Sequence, residues 1–129
     1  MEKNKFVTDF EINASKKMLF PYISTPSGLS QWFADDVNVN EDKVYNFLWD
    51  GEDHKAHIAT QRVNNFVKFE FESDNEEEDG NFVEFRLEMN ELTQTVFLHI
   101  TDYTDNPDND ELQDMWANLV DVLKEIVGG

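Results

Sequence analysis

From Lys43 to Thr101 apolar and polar residues alternate, the period of strands with one buried face. Lys43–Trp49 sets Tyr45, Phe47 and Trp49 against Val44, Asn46 and Leu48. Lys55–Val63 carries Ala56, Ile58 and Thr60 on one side. Phe66–Glu72 opposes Val67, Phe69 and Phe71 to Lys68, Glu70 and Glu72. Phe82–Asn90 opposes Val83, Phe85, Leu87 and Met89 to Glu84, Arg86 and Glu88. Glu91–Thr101 turns Val96, Leu98 and Ile100 inward. Asp50-Gly51 and Asn64-Asn65 are turn dipeptides between these strands. Ser73–Asn81 reads as a solvated acidic hairpin loop.

The flanks read differently. Lys5–Ile12 predicts a first strand on Phe6, Phe10 and Ile12. Asn13 or Ser15 then caps a short helix through Met18, Leu19 and Phe20. Pro21 and Ser24-Thr25-Pro26 separate it from a second short helix. There Thr25 is the N-cap, Pro26 fills the first turn, and Leu29, Trp32 and Phe33 share a face. Asp35-Asp36 ends that helix and hands over to an extended segment. At the other end, Asp108 and Glu111 stand at capping-box spacing. Leu112, Met115, Trp116, Leu119, Val122, Leu123 and Ile126 then recur at helical period, and Gly128-Gly129 stops the helix. Roughly 18 residues at 1.5 Å each give a rod of about 27 Å. A twisted antiparallel sheet has one apolar face to cover, and this helix has one apolar face to offer. The order therefore predicts an α+β domain over 1–129, a curved antiparallel sheet wrapped around the C-terminal helix, with two short helices after the first strand.

Composition narrows the function classes. The 129 residues are 40% hydrophobic, with eleven Phe, three Trp and three Tyr, which favours a packed core over disorder. No apolar run approaches the roughly 20 residues that span a bilayer. The segment Met1–Lys5 leads into an alternating stretch with no apolar signal core, so export by a standard signal is not expected. Cysteine is absent, which removes disulfides, thiolate ligands and a Cys nucleophile and fits a cytoplasmic location. The net charge of −18 repels phosphate backbones and anionic lipid, so neither nucleic-acid binding nor membrane insertion is expected. A basic protein partner is compatible with that charge.

Candidate chemistry is sparse. His54 and His57 would suit a metal on a helix, but on a strand their spacing sends them to opposite faces. His99 belongs to the outer face beside Phe97 and Thr101. Ser24, Ser27 and Ser30 have no histidine in an arguable position. Asp35, Asp36 and Asp102 are the carboxylates for which an acid–base role is weighed, and Asp35 and Asp36, being adjacent, diverge. No Gly-rich phosphate loop occurs. No catalytic residue, metal or cofactor is assigned, and binding is expected rather than catalysis.

Several stretches carry a resemblance: Leu19-Phe20-Pro21-Tyr22-Ile23-Ser24-Thr25-Pro26, Leu29-x-x-Trp32-Phe33-Ala34-Asp35-Asp36-Val37, Tyr45-x-Phe47-x-Trp49-x-Gly51, Val83-Glu84-Phe85-Arg86-Leu87, and Trp116 with Leu119 and Leu123. The chain resembles the START-like (SRPBCC, helix-grip) superfamily, and within it the bacterial relatives of the Aha-type activators of the heat-shock-protein ATPase. That resemblance implies a cavity between sheet and long helix, used by relatives for lipids, sterols, polyketides or other apolar molecules. Some relatives are enzymes, some carriers, some act by protein contact. The chain departs from the usual pattern in its acidity, in the Asp74–Asp79 loop and in the bulk of its inward aromatics. Each inward aromatic is therefore either plain core or cavity lining. A ligand site is expected from Trp32, Phe33, Tyr45, Phe47, Trp49, Phe69, Phe85, Leu87, Leu98, Met115, Trp116 and Leu119. The leading expectation is non-catalytic binding of a small hydrophobic or amphipathic ligand. The alternative is a co-chaperone-like interaction module acting through the acidic surface. A homodimer through a sheet edge, or through an outer face carrying Phe82 and Phe97, is compatible with the pattern.

Overall fold

The computed structural model describes residues 3–72 and 80–128. Seven antiparallel strands form one sheet in the order β1-β7-β6-β5-β4-β3-β2. They are β1 (Asn4–Ile12), β2 (Asp36–Val39), β3 (Val44–Trp49), β4 (Glu52–Arg62), β5 (Phe66–Phe71), β6 (Phe82–Asn90) and β7 (Thr95–Thr104). Helices α1 (Lys16–Ser24) and α2 (Pro26–Leu29) fill the connection from β1 to β2, and α3 (Asn109–Val127) closes the chain. This is the expected curved-sheet, helix-grip α+β architecture, with α3 against the inner face of the sheet. The acidic connection expected over Ser73–Asn81 lies, for 73–79, outside the described residues.

Alternation is kept where the sheet is covered. Along β7, Val96, Leu98, Ile100 and Asp102 are buried while their neighbours are half-buried or more exposed. Val83, Phe85 and Leu87 do the same on β6. On β4 only Ala56 is fully buried, opposite Tyr45 on one side and Phe71 on the other, so a small side chain leaves room for two rings. A β-bulge between Ile58 and Thr60 then breaks the period, and the residues beyond Ile58 on β4 are exposed. This strand begins at Glu52 rather than Lys55, because Asp50 (φ 51°) and Gly51 (φ 81°) make a two-residue turn that brings Glu52 opposite Trp49. The last strand is Thr95–Thr104 rather than Glu91–Thr101, since 91–94 form the turn and alternation runs on to Asp102.

Two helix expectations are corrected. Pro21 does not separate α1 from the second helix; it lies inside α1, on its exposed side. The second helix ends at Leu29, and Trp32 and Phe33 come after it on turns in which the N–H groups of Trp32, Phe33 and Ala34 all point to the Leu29 carbonyl. Its start is as expected: Thr25 Oγ1 accepts the Gly28 N–H at 3.0 Å, and Pro26 is the first helical residue. Gly28 is required by packing, not by φ. A Cβ there would collide with the Pro21 carbonyl oxygen and stand 2.6 Å from the Tyr22 Cα. Only a glycine lets α2 press onto the α1 backbone.

Helix α3 is capped by Asp108, whose side chain accepts the Glu111 N–H, and ends on Gly128 at φ 83°. Its buried face is Leu112, Trp116, Val120, Leu123 and Val127. The sequence pattern placed Met115 and Val122 on that face, but they are 41% and 42% exposed. The helix is rotated to centre Trp116 and Val120 on the sheet.

Candidate functional site

The inner space has two contrasting ends. One holds α1 against β5 and β6, with Ile12, Val67, Leu87 and Val96 buried. The other is a cleft of about 660 Å3 between α3 and the sheet. The end of β3, the start of β4, the end of β5, the start of β6 and the end of β7 meet there. Its apolar walls are Phe33, Trp49, Phe71, Val83, Met115 and Trp116. Its polar groups are Lys3, Asp50, His54, Glu72, Asn81, Asp102 and Asp105.

Phe33 divides the two regions. Its ring stacks on Trp116 (5.6 Å, 13°) and meets Trp49, Phe47 and Phe85 edge-on at 5.1, 5.5 and 5.3 Å. Phe47 stacks on Trp49 at 5.4 Å and 9°. Behind this wall Tyr45, Phe47 and Phe69 pack ring against ring, Phe85 packs on Trp32, and none of the four lines the cleft.

The polar handles of Trp32, Tyr45, Trp49 and Trp116 each find a protein partner. Trp32 Nε1 donates to the Tyr22 carbonyl at 2.8 Å, Tyr45 Oη to the Ser24 carbonyl at 2.9 Å, and Trp49 Nε1 to the Phe33 carbonyl at 2.7 Å. These bonds tie α1 and the turn after α2 to the sheet. Desolvation raises the Tyr45 pKa, consistent with a phenol that stays protonated and donates. Trp116 Nε1 instead donates to the carboxylate of Asp102 at 2.9 Å. Asp102 is only 7% exposed, and burial pushes its pKa up, with the Trp116 hydrogen bond opposing that shift. At the rim, Lys3 Nζ bridges Asn81 Oδ1 and Asp105 Oδ1, each at 2.7 Å.

Of the residues expected to line a ligand site, Phe33, Trp49, Met115 and Trp116 border the cleft. Trp32, Tyr45, Phe47, Phe69, Phe85, Leu87 and Leu98 are buried away from it, and Leu119 is half-buried on α3 outside it. Phe71 is an inward position by alternation; Asp102 lies beyond the strand expected to end at Thr101 and is weighed only as a carboxylate, though alternation two residues past Ile100 is the signal that finds it. Lys3, Asn81 and Asp105 carried no such signal, because only the sheet register brings them to one rim.

The remaining candidates have structural surroundings. Asp35 Oδ2 accepts the Asp50 N–H at 3.0 Å, and Asp36 Oδ1 accepts the Val37 N–H at 3.0 Å. His57 faces Glu70 at 3.4 Å on the outer face, while His54 packs on Trp49 at the cleft. His99 lies on the outer face between Glu88 at 2.7 Å and Asp9 at 3.5 Å. Among the described residues no cluster of His, Asp and Glu is arranged to hold a metal, and no helix is long and apolar enough to cross a membrane.

Fold and cleft together define a helix-grip domain with one open end. A family model described as the START-like superfamily domain matches residues 1–129, and the chain belongs to that family. Among solved structures, a Bacteroides fragilis protein determined by solution NMR is 35% identical, with 98% of this chain and 93% of that one covered and a TM-score of 0.65. The Aha1 dimer from Colwellia psychrerythraea is 19% identical over 96% of each chain, with a TM-score of 0.75. A Mesorhizobium loti protein is 14% identical over 97% of each chain, also at 0.75. The last two show likeness of fold alone. No curated protein matches the sequence.

Proposed function

We propose that this protein is a non-catalytic binder of a small apolar or amphipathic molecule, held in the cleft between the sheet and the first turns of α3. The observation that carries this is the cleft itself, whose floor is the aromatic wall of Phe33, Trp49 and Trp116. Its size falls in the roughly 300–1,000 Å3 range of small-molecule sites. The lining contains no hydroxyl or thiol nucleophile among the described residues, which supports binding over group transfer. Membership of the START-like family and the cysteine-free, acidic composition support a cytoplasmic carrier or sensor.

Native mass spectrometry of freshly purified protein, set against its denatured mass, tests the reading. The expected result is an adduct lost on denaturation and absent from Met115→Trp, which narrows the cleft from an exposed position. A bare mass, together with no fluorescence gain on adding the neutral probe N-phenyl-1-naphthylamine, overturns it. The surface charge of −18 supports a second reading, an interaction module for a basic protein. A homodimer comparable to the Colwellia protein belongs with that reading, and sedimentation at low and high salt separates the two.

A further inference from the structure

The polar groups of the cleft are unevenly matched. Lys3 brings a positive charge, but its ammonium is bonded to Asp105 at the rim. Asp50 and Glu72 are exposed and hydrated. Asp102 is different. It is 7% exposed, it contributes to the cleft lining, and its hydrogen-bond donor among the described side chains is the neutral indole of Trp116 on Oδ2. A carboxylate offers about four acceptor positions, and one neutral donor leaves its charge uncompensated. No described lysine, arginine or histidine lies within ion-pair distance of it. Burying such a charge is unfavourable unless a cation joins it. The apolar walls nearby are the rings of Trp49, Phe33, Phe71 and Trp116, and aromatic rings attract cations placed over them within about 6 Å.

We infer that the cleft selects amphipathic amines: an apolar or aromatic body against the Phe33–Trp49–Trp116 wall, and a protonated nitrogen on the carboxylate of Asp102. This rests on the cleft being a ligand site, and it names the charge and chemical class of the ligand. The ligand's ammonium supplies the ionic partner that Asp102 lacks, while the indole keeps the carboxylate aimed and leaves Oδ1 for the newcomer. An anionic ligand such as a fatty acid would place two negative charges in one poorly hydrated space.

Three probes of equal body, 4-phenylbutylamine, 4-phenylbutan-1-ol and 4-phenylbutanoate, separate charge from shape. Isothermal titration at pH 7 is run in ~0.15 M salt, where charges beyond a Debye length of about 8 Å are largely screened. The expected order is amine, alcohol, acid, with the amine at least tenfold tighter than the alcohol. Asp102→Asn removes that preference. Glu125→Gln, one charge fewer in the exposed last turn of α3, leaves the preference intact. In the wild type the amine moves the Trp116 indole N–H resonance, distinguished by its carboxylate partner from those of Trp32 and Trp49, which donate to backbone carbonyls. This readout needs no variant to fold. Alcohol binding as tight as amine binding, or an amine preference that survives Asp102→Asn, overturns the charge assignment and leaves the cleft as a neutral ligand site. Failure of all three probes to bind overturns the ligand site and this inference with it.

Discussion

The two ends of the grip are built from the same residue types and differ in what those residues are bonded to. At the filled end, tryptophan and tyrosine donors go to backbone carbonyls: Trp32 to Tyr22, Tyr45 to Ser24. Those bonds hold α1 down and consume the polar handles, so the aromatics act as core. At the open end Trp49 also donates to a backbone carbonyl, that of Phe33, but remains partly exposed at the cleft, and Trp116 donates to a side-chain carboxylate. An aromatic-rich interior is therefore not by itself a binding cavity. The open end differs in Asp102, a buried carboxylate whose side-chain donor among the described residues is a neutral indole.

The largest effect is expected from removing the ring that divides the ends. Phe33→Ala deletes contacts with Trp116, Trp49, Phe47, Phe85 and Trp32 together, and loss of a buried Phe is expected to cost about 3–5 kcal/mol, read as a lower urea midpoint. It should also merge the cleft with the filled end. Gly28→Ala acts on the filled end alone. The added Cβ meets rigid Pro21 and Tyr22 backbone, and a loss of about 3 kcal/mol is expected in the same measurement, as for severe overpacking. An unchanged midpoint would show that α2 can lift from α1.

Asp102→Asn probes the open end through pH. Burial raises the folded-state pKa of Asp102 above its unfolded value, so the folded protein binds the proton more tightly than the unfolded chain. The stabilisation from this group is present below the unfolded pKa and is lost as pH rises through the folded pKa. The stability of Asp102→Asn relative to wild type should therefore increase between pH 4 and neutrality, measured by urea unfolding across that range. A difference that is flat with pH would contradict an uncompensated carboxylate. The smallest stability effect belongs to Met115→Trp, at a half-solvated helix position, where a change within about 0.5 kcal/mol is expected. Its effect on ligand occupancy should nevertheless be complete, which sharpens the difference between stability and site.

Much of the architecture could be read directly from pattern. Strict alternation on β5, β6 and β7 and the helical period of α3 each indicated element type and inner face, because both arise from burying one side. The misreadings fell where a neighbour overrides local preference. Pro21 is tolerated in α1 because that side of the helix faces water, and α2 stops at Leu29 because the chain must bend to bring Phe33 under Trp116. Met115 and Val120 differ in burial because the rotation of α3 answers to the sheet, whereas the period alone allowed either.

Residue order alone was enough for the fold class, the strand faces and the caps at Thr25, Asp108 and Gly128, since these depend on periodicity and on backbone groups a few positions apart. Which inward aromatics are core and which border a cleft was settled by packing in three dimensions. Lys3, Asn81 and Asp105 meet at one rim through the pairing of β1, β6 and β7, and Asp102 becomes a buried charge only when Trp116 from α3 closes over it. Such meetings are set by strand register and helix rotation across long stretches of chain, where no local spacing carries the signal.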